Sequence, residues 1–196
     1  YLITLSGQGE AQWDPLAQWL DLFLLDPVSG SLNYHTELFI DPAAADPVQI
    51  LLESDLTGTV IDLPYPAGKT AEESRALTTL IRSGNETRLN INYDNLIRTA
   101  LTLDAETAEP RGQVVIGGDT PQQTEGTGIQ ILGHIDKEIS AEPWWDVFDR
   151  MLTLSEQADK QAARSGQVAR ADALGNTNPV ASVDLTLAAI DAWPWP

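Results

Sequence analysis

Apolar residues in this chain form short runs that turn residues separate about every ten positions, and in Arg88–Tyr93 apolar and polar residues alternate. Alternation of this kind is typical of β-strands that bury one face. Clusters of Asp, Pro and Gly mark the turns, for example at 26–30, 41–47 and 64–68. The pattern predicts strands at Leu32–Ile40, Val48–Glu53, Thr59–Leu63, Arg88–Tyr93, Ile97–Leu103, Gln113–Ile116, Gly128–Leu132 and Val183–Ile190.

Several short strands at this spacing favour a mainly β fold, a sandwich or a jelly-roll-like body, over a parallel sheet with crossover helices. One apolar run, residues 19–25, fits two structures. Asp14 and Pro15 before it are typical of a helix start, whereas the Asp-Pro-rich turn after it favours a strand in a hairpin. The turn favours the strand, although periodicity alone does not decide so short a run.

A short helix is predicted at residues 71–83. Thr70 and Glu73 form a capping-box pattern, Leu77, Leu80 and Ile81 provide one apolar face, and Gly84 ends it.

A longer helix is predicted at about residues 143–165, after Glu142 and Pro143. Its apolar positions follow helical spacing in the first half only: Trp144, Val147, Phe148, Met151 and Leu152. We therefore expect residues 1–166 to form a β-rich body with helices. Residues 167–196 are expected to form an extended linker, a final strand and an aromatic tail, within a single domain overall.

The charge balance is strongly acidic. The chain has 29 acidic and 11 basic residues, for a formal net charge of −18. Such a surface repels phosphate backbones, so nucleic-acid binding is disfavoured. No apolar run is long enough for a membrane-spanning helix. We expect a soluble protein whose copies approach each other more readily in salt.

Motifs for catalysis or cofactor binding are missing from the sequence. Cysteine is absent, so disulfides and thiolate metal sites are excluded. Ala67-Gly68-Lys69-Thr70 lacks the upstream glycine of a phosphate-binding loop, and His35 and His134 stand in no ligand spacing. We therefore predict no enzyme activity, no catalytic residues and no cofactor. The acidic loops at Asp41, Asp46 and Asp55 offer at most weak binding of calcium or another cation.

The chain ends in Asp-Ala-Trp-Pro-Trp-Pro, which is unusual for a free terminus. Prolines stiffen the segment in an extended form, so it loses little entropy when it docks. Two destinations are open: the tail closes the core of its own chain, or it anchors a neighbouring molecule. The predicted interface residues are those of the tail and a tryptophan pair: Trp193, Pro194, Trp195, Pro196, Trp144 and Trp145.

These observations predict a non-enzymatic structural subunit of a larger assembly, with a virion component (capsid or phage-tail/connector protein) as the foremost instance. Its partners would be copies of itself and other subunits, and its location a virion or an extracellular assembly. The virion setting is suggested only because small β-rich subunits with extended arms are common there; a fold does not by itself imply a function.

Two alternatives remain open. An extracellular carbohydrate- or ligand-binding module would use Trp13, Trp19 or the Trp144–Trp145 pair as stacking platforms. A glycoside-hydrolase-like enzyme would need two facing carboxylates. The candidates near aromatic residues are Asp136 with Glu138, and Asp146 with Asp149.

Overall fold

A computed structural model describes residues 1–15, 27–104, 110–122, 127–140, 142–146 and 180–191. The strands are β1 (Ile3–Gln12), β2 (Val28–Ile40), β3 (Val48–Ser54), β4 (Thr59–Ile61), β5 (Leu77–Ser83), β6 (Glu86–Tyr93), β7 (Ile97–Asp104), β8 (Pro110–Ile116), β9 (Gly128–Ser140) and β10 (Val180–Asp191). Helical residues in the described chain are 13–15 and 142–146. The prediction of a mainly β protein is confirmed.

The strands form one broad sheet in the order β1-β2-β3-β5-β6-β7-β8-β9-β10, and β4 pairs with β2 beside it. Pairing is antiparallel from β1 to β8, whereas β8 with β9 and β9 with β10 are parallel. The predicted sandwich or jelly roll is not confirmed, because the described strands form one hydrogen-bonded sheet and not two separate sheets.

The short helix predicted at residues 71–83 is wrong. Leu77–Ser83 is strand β5, between β3 and β6. The capping contact itself exists, because the Thr70 amide donates to Glu73 Oε2 at 3.1 Å, but no helix follows it. Leu77, Thr79 and Ile81 also alternate with period two, and pairing with two neighbouring strands outweighs a local helix signal.

The longer helix predicted at about 143–165 is not confirmed. Residues 142–146 are helical, and residues 147–165 lie outside the described residues. The strand predicted at 19–25 also lies outside them.

The turn between β6 and β7 helps to fix how these two strands pair. Asp94 and Asn95 join β6 to β7 with positive φ angles of 51° and 55°, and the Leu96 amide donates to the Tyr93 carbonyl at 2.8 Å. Asp and Asn tolerate this left-handed conformation, and such turns match the twist of the strands they join. The turn therefore places Tyr93 opposite Ile97.

The described core is small and lies at one end of the sheet. Its buried residues are Trp13, Leu32, Leu56 and Tyr93, with partly buried neighbours such as Ile61 and Ile97. Residues 55–76, which we call the capping loop, contribute Leu56 and Ile61 to this cluster. Hydrophobic packing among the described residues is thus concentrated beneath the capping loop.

Candidate functional site

The two faces of the sheet differ sharply in chemistry. Directly paired residues of neighbouring strands share a face, and successive residues along a strand alternate between faces. The face that contains Ile50, Ile81 and Leu89 is predominantly aliphatic, and we call it the apolar face. The opposite face, which we call the polar face, contains Gln49, Arg82 and Arg88 in the same register.

One row on the apolar face, which we call the apolar row, crosses eight strands without a polar residue. Register pairs join its members in sequence from β1 to β9: Leu5, Leu38, Ile50, Ile81, Leu89, Leu101, Gly112 and Ile129. At a spacing of about 4.8 Å between strands, this row is about 34 Å long and runs perpendicular to the strands.

The apolar row is accessible. Leu5 is 57% exposed, Gly112 is buried, and the other residues of the row are half-buried. In a sheet covered by a second layer, central aliphatic residues such as Ile81 and Leu89 would be fully buried. A partly exposed apolar surface of this length is a candidate for contact with another apolar group.

The capping loop forms a wall at one side of the apolar face. Tyr93 belongs to that face, since it pairs with Leu77 and Ile97, and its hydroxyl donates to the Ala67 carbonyl of the loop at 2.9 Å. Trp13 donates from Nε1 to the buried Thr59 Oγ1 at 2.9 Å. The loop is therefore attached to the sheet by specific hydrogen bonds as well as by packing.

Lys69 lies at the centre of the capping loop and is only 5% exposed. Its ammonium donates to the carbonyls of Leu56 and Thr70, both at 2.8 Å, and to that of Thr59. Burial lowers the pKa of Lys69, a change that Glu73 opposes by its negative charge. A side chain at the preceding Gly68 would overlap the Leu63 carbonyl, so glycine allows the loop to close tightly.

The role of Lys69 could not be deduced from the sequence motif around it. The Gly-Lys-Thr triplet lacks the upstream glycine of a phosphate-binding loop, so the motif assigns this lysine no role. The only signal is its rarity: the chain has 11 basic residues, and this is one of three lysines. The structure makes it a three-donor bridge that joins backbone carbonyls of the capping loop.

Burial raises the pKa of Tyr93 above that of a free tyrosine, with Arg75 opposing the change. Unfolding releases the side chain, whose proton then dissociates near pH 10. The folded state holds that proton more tightly, so we expect stability to fall as the pH rises from about 10 through the folded pKa. Denaturation at several pH values, compared with Tyr93→Phe, checks this. A pH slope that is the same in both proteins would contradict it.

The polar face carries two ion pairs, one between a strand and a loop and one between two strands. Arg88 pairs with Asp46 at 3.1 Å, and Arg111 pairs with Glu86 at 2.5 Å. Both pairs are partly exposed, so each contributes little to stability. The same face also contains the buried residues Ala100, Thr102 and Val115, so it is polar but not uniformly exposed.

The predicted tryptophan sites are scattered. Trp13 is buried in the core, so it cannot stack on a sugar without unfolding that cluster. Trp144 donates from Nε1 to the Tyr65 carbonyl at 3.1 Å, which places helical residues 142–146 beside the capping loop, and Trp145 is 67% exposed. Three groups of predicted residues lie outside the described chain: Trp19, Trp193–Pro196 and Asp149.

The predicted cation positions are occupied by local contacts. Asp41 Oδ1 accepts from the Ala43 amide at 3.1 Å, and Asp55 Oδ1 accepts from the Thr57 amide at 2.9 Å. Asp46 is paired with Arg88. Among the residues with described side chains, no three His, Asp or Glu groups come together as metal ligands do.

The other residues considered as catalytic or ligand-binding groups are spread over different elements of the described chain. His35 Nε2 is 3.6 Å from Glu37 Oε1 on the polar face, and His134 lies on β9. Asp136 and Glu138 are also on β9, and Asp146 ends the helical segment 142–146. Within the part of the chain that the structure describes, no helix is long and apolar enough to cross a membrane.

Comparison with known proteins gives one match. The family model described as YhdP protein matches residues 1–193, which is nearly the whole chain. No curated protein and no solved structure matches it.

Proposed function

This chain belongs to the YhdP family, and we propose that it binds the hydrocarbon chains of amphiphilic, lipid-like molecules on the apolar face of its sheet. The observation that carries the proposal is the apolar row, which crosses eight strands without a hydrogen-bonding side chain. A ligand laid along it meets only aliphatic side chains and one glycine.

The chemistry of the row favours hydrocarbon over a peptide or a sugar. Peptides and sugars carry polar groups at every unit, and each group buried without a partner costs free energy. A hydrocarbon chain has no such groups, and it gains about 0.8 kcal/mol for each CH₂ that leaves water. Flexible Leu and Ile side chains such as Leu38, Ile81 and Leu89 adapt to such a chain.

The length of the row fits more than one ligand. The chains of one lipid span about half of a bilayer core, or about 15 Å. The apolar row is about 34 Å long at strand spacing, so it accommodates two such lengths end to end or different positions of one ligand. The net charge of −18 disfavours anionic head groups, so we assign neutral or zwitterionic amphiphiles as the ligand class.

Extraction of lipid from vesicles tests the proposal. The full chain is mixed with vesicles of phosphatidylcholine that contain a little phosphatidylcholine spin-labelled on its acyl chain. We expect an immobilised spin-label spectrum that travels with the protein after the vesicles are removed. Absence of protein-bound label at every protein concentration would overturn the proposal.

Two variants at neighbouring residues test which face of the sheet binds lipid. Ile81 and Leu80 are neighbours on β5, both half-buried, on the apolar and polar faces respectively. Covering an aliphatic side chain contributes about 1.5–3 kcal/mol, so Ile81→Gln is expected to weaken lipid binding about tenfold or more. Leu80→Gln, the control, should bind like the wild type. Equal loss in both variants would contradict binding on the apolar face.

The second candidate is the structural subunit predicted from the sequence. The observation that favours it is the partly exposed apolar row, which a neighbouring subunit could also cover. Light scattering of the full chain across salt concentration tests it, and a monomer under every condition would contradict it. The virion setting, the docking of the Trp-Pro tail and the lack of enzyme activity remain predictions.

A further inference from the structure

A row of polar side chains crosses four neighbouring strands on the polar face. Register pairs join its members from β1 to β5, and we call them the polar row: Gln8, His35, Glu53 and Thr78. Neighbouring strands lie about 4.8 Å apart, so the polar row is about 14 Å long. Every member has a side chain that donates or accepts hydrogen bonds. The polar row is therefore the chemical opposite of the apolar row on the other face.

A cavity of about 740 Å³ is lined by all four members of the polar row. Asn33, two residues before His35, and Asp55, two residues after Glu53, also line it. Thr78 is half-buried, and the other five of these residues are exposed. Cavities of this volume accommodate small ligands, and the side chains of this one are accessible from solvent.

Most of these side chains have hydrogen-bonding groups that the described chain does not use. In the described part of the chain, four of them have no hydrogen-bond or ion-pair partner: Gln8, Asn33, Glu53 and Thr78. His35 Nε2 is 3.6 Å from Glu37 Oε1, and Asp55 Oδ1 accepts from the Thr57 amide at 2.9 Å. The cavity thus offers two carboxamides, a hydroxyl and a carboxylate to a ligand.

The sheet holds these groups in place. Strands β2, β3 and β5 are interior strands, each paired with a neighbour on both sides. His35, Glu53 and Thr78 therefore project from a backbone that is fixed before a ligand arrives. A preorganised site loses less conformational entropy on binding than a mobile loop does.

We propose that the polar row binds an uncharged saccharide. Carboxamide, hydroxyl and imidazole groups both donate and accept hydrogen bonds, whereas Glu53 and Asp55 accept only. The hydroxyl groups of a saccharide also donate and accept, so they match every side chain of this set. The apolar face offers no such partners, and a saccharide there would leave its hydroxyls unpaired.

Charge and polarity disfavour other ligands for this cavity. Its described lining contains two carboxylates and no lysine or arginine, so phosphates and other anions are repelled. Among the residues with described side chains, no three His, Asp or Glu groups are arranged as metal ligands. Each hydrogen bond to a saccharide replaces one to water and contributes little net free energy, so we expect a dissociation constant in the millimolar range.

NMR titration of the isotope-labelled full chain tests the proposal in the absence of lipid. The probes are cellobiose, maltose and N,N′-diacetylchitobiose. We expect at least one of them to shift the amide signals around the polar row on β2, β3 and β5. Because the ligand is uncharged, its dissociation constant should be the same at low and high salt.

The carboxylate of Glu53 is tested with Glu53→Gln. Hydrogen bonds to a charged acceptor are the stronger kind, so this variant should weaken saccharide binding about tenfold. Glu72→Gln is the control, since it removes the same charge from an exposed position in the capping loop outside the cavity lining. It should bind like the wild type.

The face is tested with two threonines of β5. Thr78 and Thr79 are neighbours, both half-buried, on the polar and apolar faces respectively. Valine keeps the shape of threonine and removes its hydroxyl. Thr78→Val should weaken saccharide binding about threefold or more, and Thr79→Val should leave it unchanged.

Several results would overturn the proposal. One is the absence of localised shifts with all three saccharides, and another is an equal loss of affinity in either variant and its control. Tighter binding of ethylammonium than of the saccharides, weakened by salt, would show a cation site instead. The NMR spectrum of each variant verifies that it is folded. Lipid extraction is measured separately, so the two proposals can fail independently.

Discussion

Replacing Lys69 by methionine is expected to lower the free energy of unfolding by about 3–5 kcal/mol. Methionine fills most of the volume but donates no hydrogen bond. The carbonyls of Leu56, Thr59 and Thr70 would then lose the ammonium that bonds all three. The Leu56 carbonyl would keep its bond from the Thr59 amide at 3.1 Å, whereas each buried acceptor left without a partner costs about 1–3 kcal/mol.

A competing effect reduces this loss without cancelling it. Burial lowers the pKa of Lys69, which means that removing its charge also relieves a desolvation cost. The hydrogen-bond loss should dominate, because three acceptors are affected and the loop around Gly68 is too tight to rearrange freely. Urea denaturation measures the change.

Arg82→Met is the control for Lys69→Met. It removes another long cationic side chain, but from a half-buried position on the polar face, and it should change stability by no more than about 0.5 kcal/mol. Similar losses in the two variants would indicate a general effect of charge in this acidic chain. That result would contradict the bridging role of Lys69.

Replacing Trp13 by alanine is the second change with a large expected effect, a loss of about 3–5 kcal/mol. Trp13 is the largest member of the buried cluster with Leu32, Leu56 and Tyr93. The described core is small, so removing its indole leaves a cavity with few neighbours able to fill it. Thermal or urea denaturation followed by circular dichroism measures the loss.

Two further variants separate the contributions of Trp13. Trp13→Phe keeps most of the packing but removes the Nε1 donor to Thr59 Oγ1, and should cost about 1–2 kcal/mol. Trp145→Ala removes an indole that is 67% exposed and should change stability by less than about 1 kcal/mol. If Trp145→Ala proved as damaging as Trp13→Ala, the assignment of the core to the Trp13 cluster would be wrong.

Both large effects concern the wall beside the proposed ligand surface. Trp13 and Lys69 hold the capping loop, whereas the apolar row lies on strands that pair independently of that loop. Variants that weaken the capping loop should therefore lower the free energy of unfolding with little change in lipid affinity. Ile81→Gln should weaken lipid binding with little change in the free energy of unfolding, because its side chain is already partly exposed to water.

Much of the strand content was predictable from local pattern. Alternation in Arg88–Tyr93 and Ile97–Leu103 identified β6 and β7, because a strand between two neighbours must separate its apolar and polar residues. Segment 77–83 was not predictable in this way. Its leucines and isoleucine fit both a period of 3.6 and a period of two, and only its neighbours β3 and β6 decided the outcome.

The candidate site was harder to predict than the strands. Leu5, Ile50 and Leu101 lie far apart in the sequence, and their alignment in one row depends on register across seven ladders. Single-strand patterns show that a face is apolar but not how much of it the rest of the described chain covers. The expectation of a sandwich assumed a second layer, as most sheets with one apolar face have.

The sequence by itself determined that this chain is β-rich, acidic and free of thiol chemistry, because alternation, charge and composition are local or additive properties. The tertiary structure alone decided three matters: that the described strands form a single sheet, that the apolar row extends across it, and that Lys69 binds carbonyls. Each depends on which distant segments meet. Pairing between strands is set by the whole set of competing registers and not by any one segment.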